Sequence, residues 1–302
     1  MKLDSLIERA SQFGEKTVAV AAAEDEEVLE AICHALQLNL ARFLLFGDKE
    51  KISAMMERKF PGMHQHQKLE MIHTPTNSLA VEKAVRAVHI GEANVLMKGN
   101  VQTATLLKTI LNKEYGLRTG RILSQVAVFE IPDFERFIFI TDSAMNMEPN
   151  VEQKAEIISN AVQIARSIGL ECPLVAPIAA VEVVNPNMQA TIDAAILTQM
   201  NRRGQIVNCI VDGPLGFDNA VSISAAEHKS INSEVAGRAD ILLVPTLEVG
   251  NALYKSLTYF AKAKVGSVIA GAKAPIVLTS RADTAEAKFY SLILAICSAN
   301  ES

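Results

Sequence analysis

Short β-branched apolar runs alternate with longer segments whose apolar residues recur at spacings of three and four, almost from end to end of the chain. Runs at 17–21, 42–46, 69–73, 94–97, 122–128 and 137–141 predict strands, and segments 26–36, 53–60, 78–90 and 101–111 predict helices between them. In the third of these helices Val81, Ala84, Val85 and Val88 fall on one face. Such a βαβα rhythm implies a mostly parallel sheet with helices on both faces. Only the short 132–135 link separates the last two strands of this half, which predicts an antiparallel hairpin.

A second series follows the Pro/Asn-containing loop at 142–150. It predicts helix 151–168, strand 174–179, helix 188–202, strand 205–211, strand 241–244, helix 248–263, strands 267–270 and 275–278, and a final helix 284–298. The expected organisation is therefore two α/β domains. The first takes residues 1–141 plus about 284–302, with the final helix packed back on it, and the second takes 142–283. No internal repeat or low-complexity tract interrupts either.

Composition narrows the function classes. Apolar residues form 49% and charged residues 21% of the 302, as expected of a folded globular chain. The net charge of −5 supplies no broad basic field, and with no Trp and 4 Tyr there is little from which to build a base-stacking platform; nucleic acid is not an expected partner. Cys33, Cys172, Cys209 and Cys297 are dispersed, without C-x-x-C spacing, as in reduced, mostly buried thiols. The acidic residues Asp4 and Glu8 stand where a signal peptide needs an apolar run, and no stretch of 18 uncharged apolar residues exists, so a cytoplasmic protein without a membrane span is expected.

Open α/β sheets bind ligands where the carboxyl ends of strands meet loops and helix N-termini, and those N-termini favour anions. Four loops of this kind carry candidate chemistry. After the strand at 94–97, Lys98, Asn100 and Thr103 open a helix and could hold an anion or a carbonyl, although Gly99 also suits an ordinary turn. Asp142 could orient a cation or a hydroxyl and Asn146 could bond a substrate carbonyl, or both could belong to a simple Asp turn. Asp212 stands at a strand end before Gly213, Pro214 and Gly216, where tight-turn chemistry is the plainer alternative. Finally, the strand at 275–278 delivers Ser280 and Arg281 into a loop just before a helix; the Arg fork suits two phosphate oxygens and the Ser hydroxyl a third. Asp283 or Thr284 could cap that helix, with Glu286 in the capping box, and Asp283 is better placed for capping than for proton transfer. His64 and His66 read as a solvated loop rather than a metal site, and neither a P-loop nor a G-x-S-x-G elbow is present.

Across essentially its whole length the chain resembles the phosphate acetyltransferase/phosphate butyryltransferase family, the butyryl branch most closely. The most specific stretches are 211–220, 235–245, 248–255 (which contains Asn251) and 275–281. The resemblance implies a fold of two α/β/α domains like that of isocitrate and isopropylmalate dehydrogenases, with the active site in the interdomain cleft. It implies reversible transfer of a short-chain acyl group between coenzyme A and orthophosphate, in a homo-oligomer with no permanently bound cofactor and no metal. It also implies that Ser280 and Arg281 bind phosphate. The acidic base of the acetyl branch has no clean match: Asp283 and Glu286 are nearby, and Ala287 holds the equivalent register. Ala282 stands where acetyl-branch members usually have Gly, as in the butyryl branch. Lys98, Asn100, Thr103, Asp142, Asn146, Asp212 and Asn251 complete the expected substrate contacts.

Overall fold

The computed structural model describes residues 1–280 and 283–299. In chain order the elements begin with α1 (Ser5–Gln12), β1 (Lys16–Ala21), α2 (Glu26–Gln37), β2 (Ala41–Gly47), α3 (Lys49–Lys59), β3 (Leu69–His73) and α4 (Asn77–His89). Next come β4 (Val95–Lys98), α5 (Thr103–Ile110), β5 (Ser124–Glu130), β6 (Ile138–Thr141), α6 (Val151–Ser167), β7 (Leu174–Pro177) and α7 (Gln189–Arg202). The series ends with β8 (Ile210–Val211), α8 (Phe217–Val221), α9 (Ile223–His228), β9 (Ile241–Leu243), α10 (Leu247–Tyr259), β10 (Lys264–Ala270), β11 (Ile276–Val277) and α11 (Ala285–Ser298). It is a mixed α/β fold.

The chain divides into two compact units. One comprises Leu3–Arg121 and the chain from Gly266 onward. Its strand order is β3-β2-β1-β4-β11-β10, parallel except where β10 runs antiparallel to β11. Strands buried on both faces need continuous apolar side chains, and β4 is buried at every position. The closing helix α11 packs on α1 and α2 of this unit. His34 stacks on Phe289 at 4.1 Å, and the Tyr290 hydroxyl donates to Asp4 Oδ1 at 2.6 Å. Gly266 makes the fit of β10 to α11 possible: a Cβ there would lie 2.8 Å from the Tyr290 backbone.

The other unit comprises Ile122–Val265 with the first two residues. Its strands run in the order β5-β6-β9-β7-β8. β5 and β6 form the antiparallel hairpin, whereas β6, β9, β7 and β8 are parallel. Because β6 pairs with β9, residues 124–141, read from the sequence with the first domain, group here; 266–283, read with the second, group with the N-terminal unit. Helix α6 covers β5, β6 and β9, while α7 lies on β7 and β8. Three helices had no counterpart in the sequence pattern: α1, α8 and α9. The expected strand 205–211 shortens to two residues at the sheet edge, where Val207 is exposed.

Candidate active site

Two loops of the N-terminal unit converge through strand register. β4 and β11 are parallel neighbours, with Leu96 opposite Ile276 and Met97 opposite Val277. Lys98 therefore ends its strand level with Leu278, two residues before Ser280. The Lys98 side chain is buried, and its ammonium donates to the Gly99 carbonyl at 3.3 Å. Backbone contact holds the loop close to the end of β1. The amides of Gly99 and Asn100 donate to the carbonyls of Ala21 and Ala22 at 2.9 and 2.6 Å. A Cβ on Gly99 would lie 2.0 Å from the Ala22 carbonyl oxygen, so only glycine fits. Asn100 is exposed and its carbonyl accepts from Asn77 Nδ2, while exposed Thr103 opens α5, whose N-terminus has no side-chain cap.

The β11–α11 segment supplies the second wall. Thr279 is buried, with its hydroxyl oxygen unpartnered among the described residues, and Ser280 is exposed. The Ser280 amide donates to Asp283 Oδ2 at 2.7 Å, and the Asp283 amide donates back to the Ser280 carbonyl at 3.1 Å. Asp283 thus closes the loop rather than capping the helix. The cap is Thr284, whose side chain accepts from the Ala287 amide. Ala287 consequently occupies the third helical position, and Glu286, one residue short of it, forms no capping box. Glu286 stands exposed on the first turn, where the macrodipole favours a carboxylate. Arg281 and Ala282 lie outside the described residues.

Sequence reasoning passed over Lys288. It is 2% exposed, and its ammonium donates to the carbonyls of Asp283 at 2.7 Å and Ser280 at 3.4 Å. Its signal was the single charge in the otherwise apolar body of the last helix, one turn beyond the cap.

The candidates in the second unit are arranged differently. The Asp142 carboxylate is buried and accepts from the amides of Gln125, Ala144, Met145 and Asn146 and from Asn146 Nδ2, at 2.6–3.2 Å. Burial pushes this carboxyl above its usual range, opposed by those donors. Asn146 Nδ2 also donates to the Leu123 carbonyl. These contacts make Asp142 the organiser of its own loop. Beside it Met145, Asn146, Glu148, Gln153 and Glu248 line a cavity of about 550 Å³. Asn251 lies exposed on α10, one turn from Glu248. Asp212 follows β8 and faces Arg202 at 3.9 Å. A second pair that the sequence did not disclose, Lys154 with Asp193 at 2.6 Å, is buried between α6 and α7.

The N-terminal unit therefore gathers two buried lysines, a serine and two helix N-termini at the carboxyl ends of adjacent strands, an arrangement suited to an anion. Among the described residues no cluster of three His, Cys, Asp or Glu side chains could hold a metal, and no helix is long and apolar enough to cross a membrane.

A family model described as phosphate acetyl/butaryl transferase matches residues 55–296. A probable phosphate butyryltransferase of Bacillus subtilis is 56% identical over 301 residues, covering 100% of this chain and 99% of that protein. A phosphate acetyltransferase of Thermotoga maritima is 48% identical, covering 97% of this chain and 98% of that one. The crystal structure of a branched-chain phosphotransacylase from Enterococcus faecalis superimposes with a TM-score of 0.82 at 37% identity, over 94% of this chain and 99% of its own. Matched along nearly its full length to acyltransferases of one kind, this chain belongs to the phosphate acetyltransferase/phosphate butyryltransferase family.

Proposed function

We propose that the protein transfers a short-chain acyl group, butyryl foremost, reversibly between coenzyme A and orthophosphate. A phosphate oxygen attacks the thioester carbonyl, the tetrahedral oxyanion collapses, and coenzyme A leaves as thiolate, giving acyl phosphate. The observation that carries this reading is the convergence of Lys98, Ser280 and the N-terminus of α11 at the ends of β4 and β11. Cations and unpaired N–H groups aimed at one place stabilise phosphate and a developing oxyanion. Arg281 holds two phosphate oxygens and Ser280 donates to a third, with Lys98, Asn100 and Thr103 on the facing loop. Glu286 returns a proton to the thiolate and removes it in the reverse direction; a thiol of pKa near 8.5 needs such help at neutral pH. Asn146, Asp212 and Asn251 serve the rest of the substrate, with Asp142 holding Asn146 in place.

The reading includes an isocitrate/isopropylmalate dehydrogenase-like arrangement in both units, no permanently bound cofactor and no required metal. Its partners are small molecules, not nucleic acid or membrane. It extends to a cytoplasmic homo-oligomer, supported by exposed apolar side chains such as Phe260, 86% accessible, and testable by light scattering. An acetyl-preferring enzyme is the second reading, supported by the acetyltransferase of Thermotoga maritima at 48% identity. A non-catalytic acyl-CoA-binding protein is the third, and turnover decides it. Thiol release from butyryl-CoA should require phosphate, and Ser280→Ala should lower kcat by roughly 10²-fold, the usual cost of one transition-state donor. Phosphate-independent release, or an unaffected variant, contradicts the assignment.

A further inference from the structure

A buried ammonium must be paired or fully hydrogen-bonded, because the desolvation cost of a bare charge is several kcal/mol. Lys288 meets that requirement in an unusual way. Among the described residues no carboxylate pairs with it; its partners are the main-chain carbonyls of Ser280 and Asp283, one at each end of the segment that leads into α11. The same two residues are tied to each other by Ser280 N–H to Asp283 Oδ2 and Asp283 N–H to Ser280 O. Four hydrogen bonds thus converge on these two residues, and the two supplied by Lys288 bring a positive charge. That charge lies beneath the N-terminal turn of α11, adding to the positive end of the helix.

Resting on the phosphate-binding reading of Ser280 and Arg281, we propose that Lys288 is the positioning residue of the phosphate subsite. Its ammonium holds the carbonyls of Ser280 and Asp283 and supplies a fixed positive charge beside them, so that phosphate meets a Ser280 already held in place. It touches neither substrate. Removing it frees Ser280 and Asp283 from that hold and leaves the contacts to the acyl-CoA intact.

The test is a split of Michaelis constants. In Lys288→Met the phosphate KM should rise by about tenfold or more, the worth of one charge-assisted hydrogen bond, while the acyl-CoA KM changes less than about threefold. Lys288→Arg, which keeps charge and donors, should recover most of the phosphate KM. Should Lys288→Met not fold, the same ratio is read in Lys288→Gln, which keeps a donor but no charge and should raise the phosphate KM by at least about fivefold. A folded variant with an unchanged phosphate KM, or one in which both KM values rise together, overturns the proposal. A wild-type protein with no phosphate-dependent thiol release instead overturns the functional reading beneath it, so the two failures are distinct.

Discussion

Asp283 shows how one hydrogen bond changes a residue's expected role. Read as a helix cap, its replacement by Asn would chiefly cost stability. With its carboxylate on the Ser280 amide and Thr284 doing the capping, Asp283→Asn should instead impair phosphate use while the melting temperature stays near wild type. Glu286→Gln should depress kcat by about 10²–10⁴-fold with little loss of stability, because side-chain volume is kept and a general base is lost. Measuring kcat, phosphate KM and melting temperature for both separates base from loop tie; normal kcat in Glu286→Gln removes it as proton acceptor. The Lys154–Asp193 pair is a structural counterpart. Both side chains are buried, so Asp193→Ala strands an ammonium and should cost about 3–5 kcal/mol by denaturant titration. A loss below about 1 kcal/mol would show that water reaches the pair. The cysteines divide similarly. Burial pushes the thiols of Cys33, Cys209 and Cys297 up to about 12, whereas Cys172 is exposed. Folded protein at pH 8 should therefore react at one thiol with a disulfide reagent, and denatured protein at four. Rapid reaction of more than one in the native state contradicts that burial.

At the scale of elements, long periodic segments were legible and short or polar ones were not. Helices α2, α4, α6, α7 and α11 and strands β1 to β4 lie close to where apolar spacing predicts, because each buries a face that the spacing encodes. Helix α1 buries only Leu6 and Ala10, while α8 and α9 run five and six residues, too short for a period to register. The grouping of the hairpin was also hidden, since parallel pairing of β6 with β9 joins residues about a hundred apart. Of the candidate site, the placement of Lys98 at the end of β4 and of Ser280 after β11 was legible from the strand pattern. Lys288 was not, because its importance lies in two backbone carbonyls that carry no side-chain signature. Two element-scale outcomes follow. Thr284→Ala should cost about 1 kcal/mol through the lost cap of α11, read as a drop in melting temperature. Gly99→Ala must push the β4–α5 loop off the Ala22 carbonyl and should lower activity more than Thr284→Ala does; full activity would mean that the loop takes no part in turnover.

For the whole molecule, membership of the family sets the chemistry, while the size of the acyl group is left to turnover itself. The butyryltransferase and acetyltransferase relatives are 56% and 48% identical, a gap too small to choose between substrates. One extra or missing methylene in an apolar pocket is worth only about 1–3 kcal/mol, so preference appears as a graded series rather than a switch. The most direct measurement is therefore phosphate-dependent release of free coenzyme A thiol from acetyl-, propionyl-, butyryl- and hexanoyl-CoA at fixed enzyme concentration. We expect release to vanish without phosphate, acyl phosphate to accumulate in equal amount, and kcat/KM to peak at butyryl-CoA. Release that proceeds equally without phosphate, or no release from any of the four, would contradict acyl transfer to phosphate.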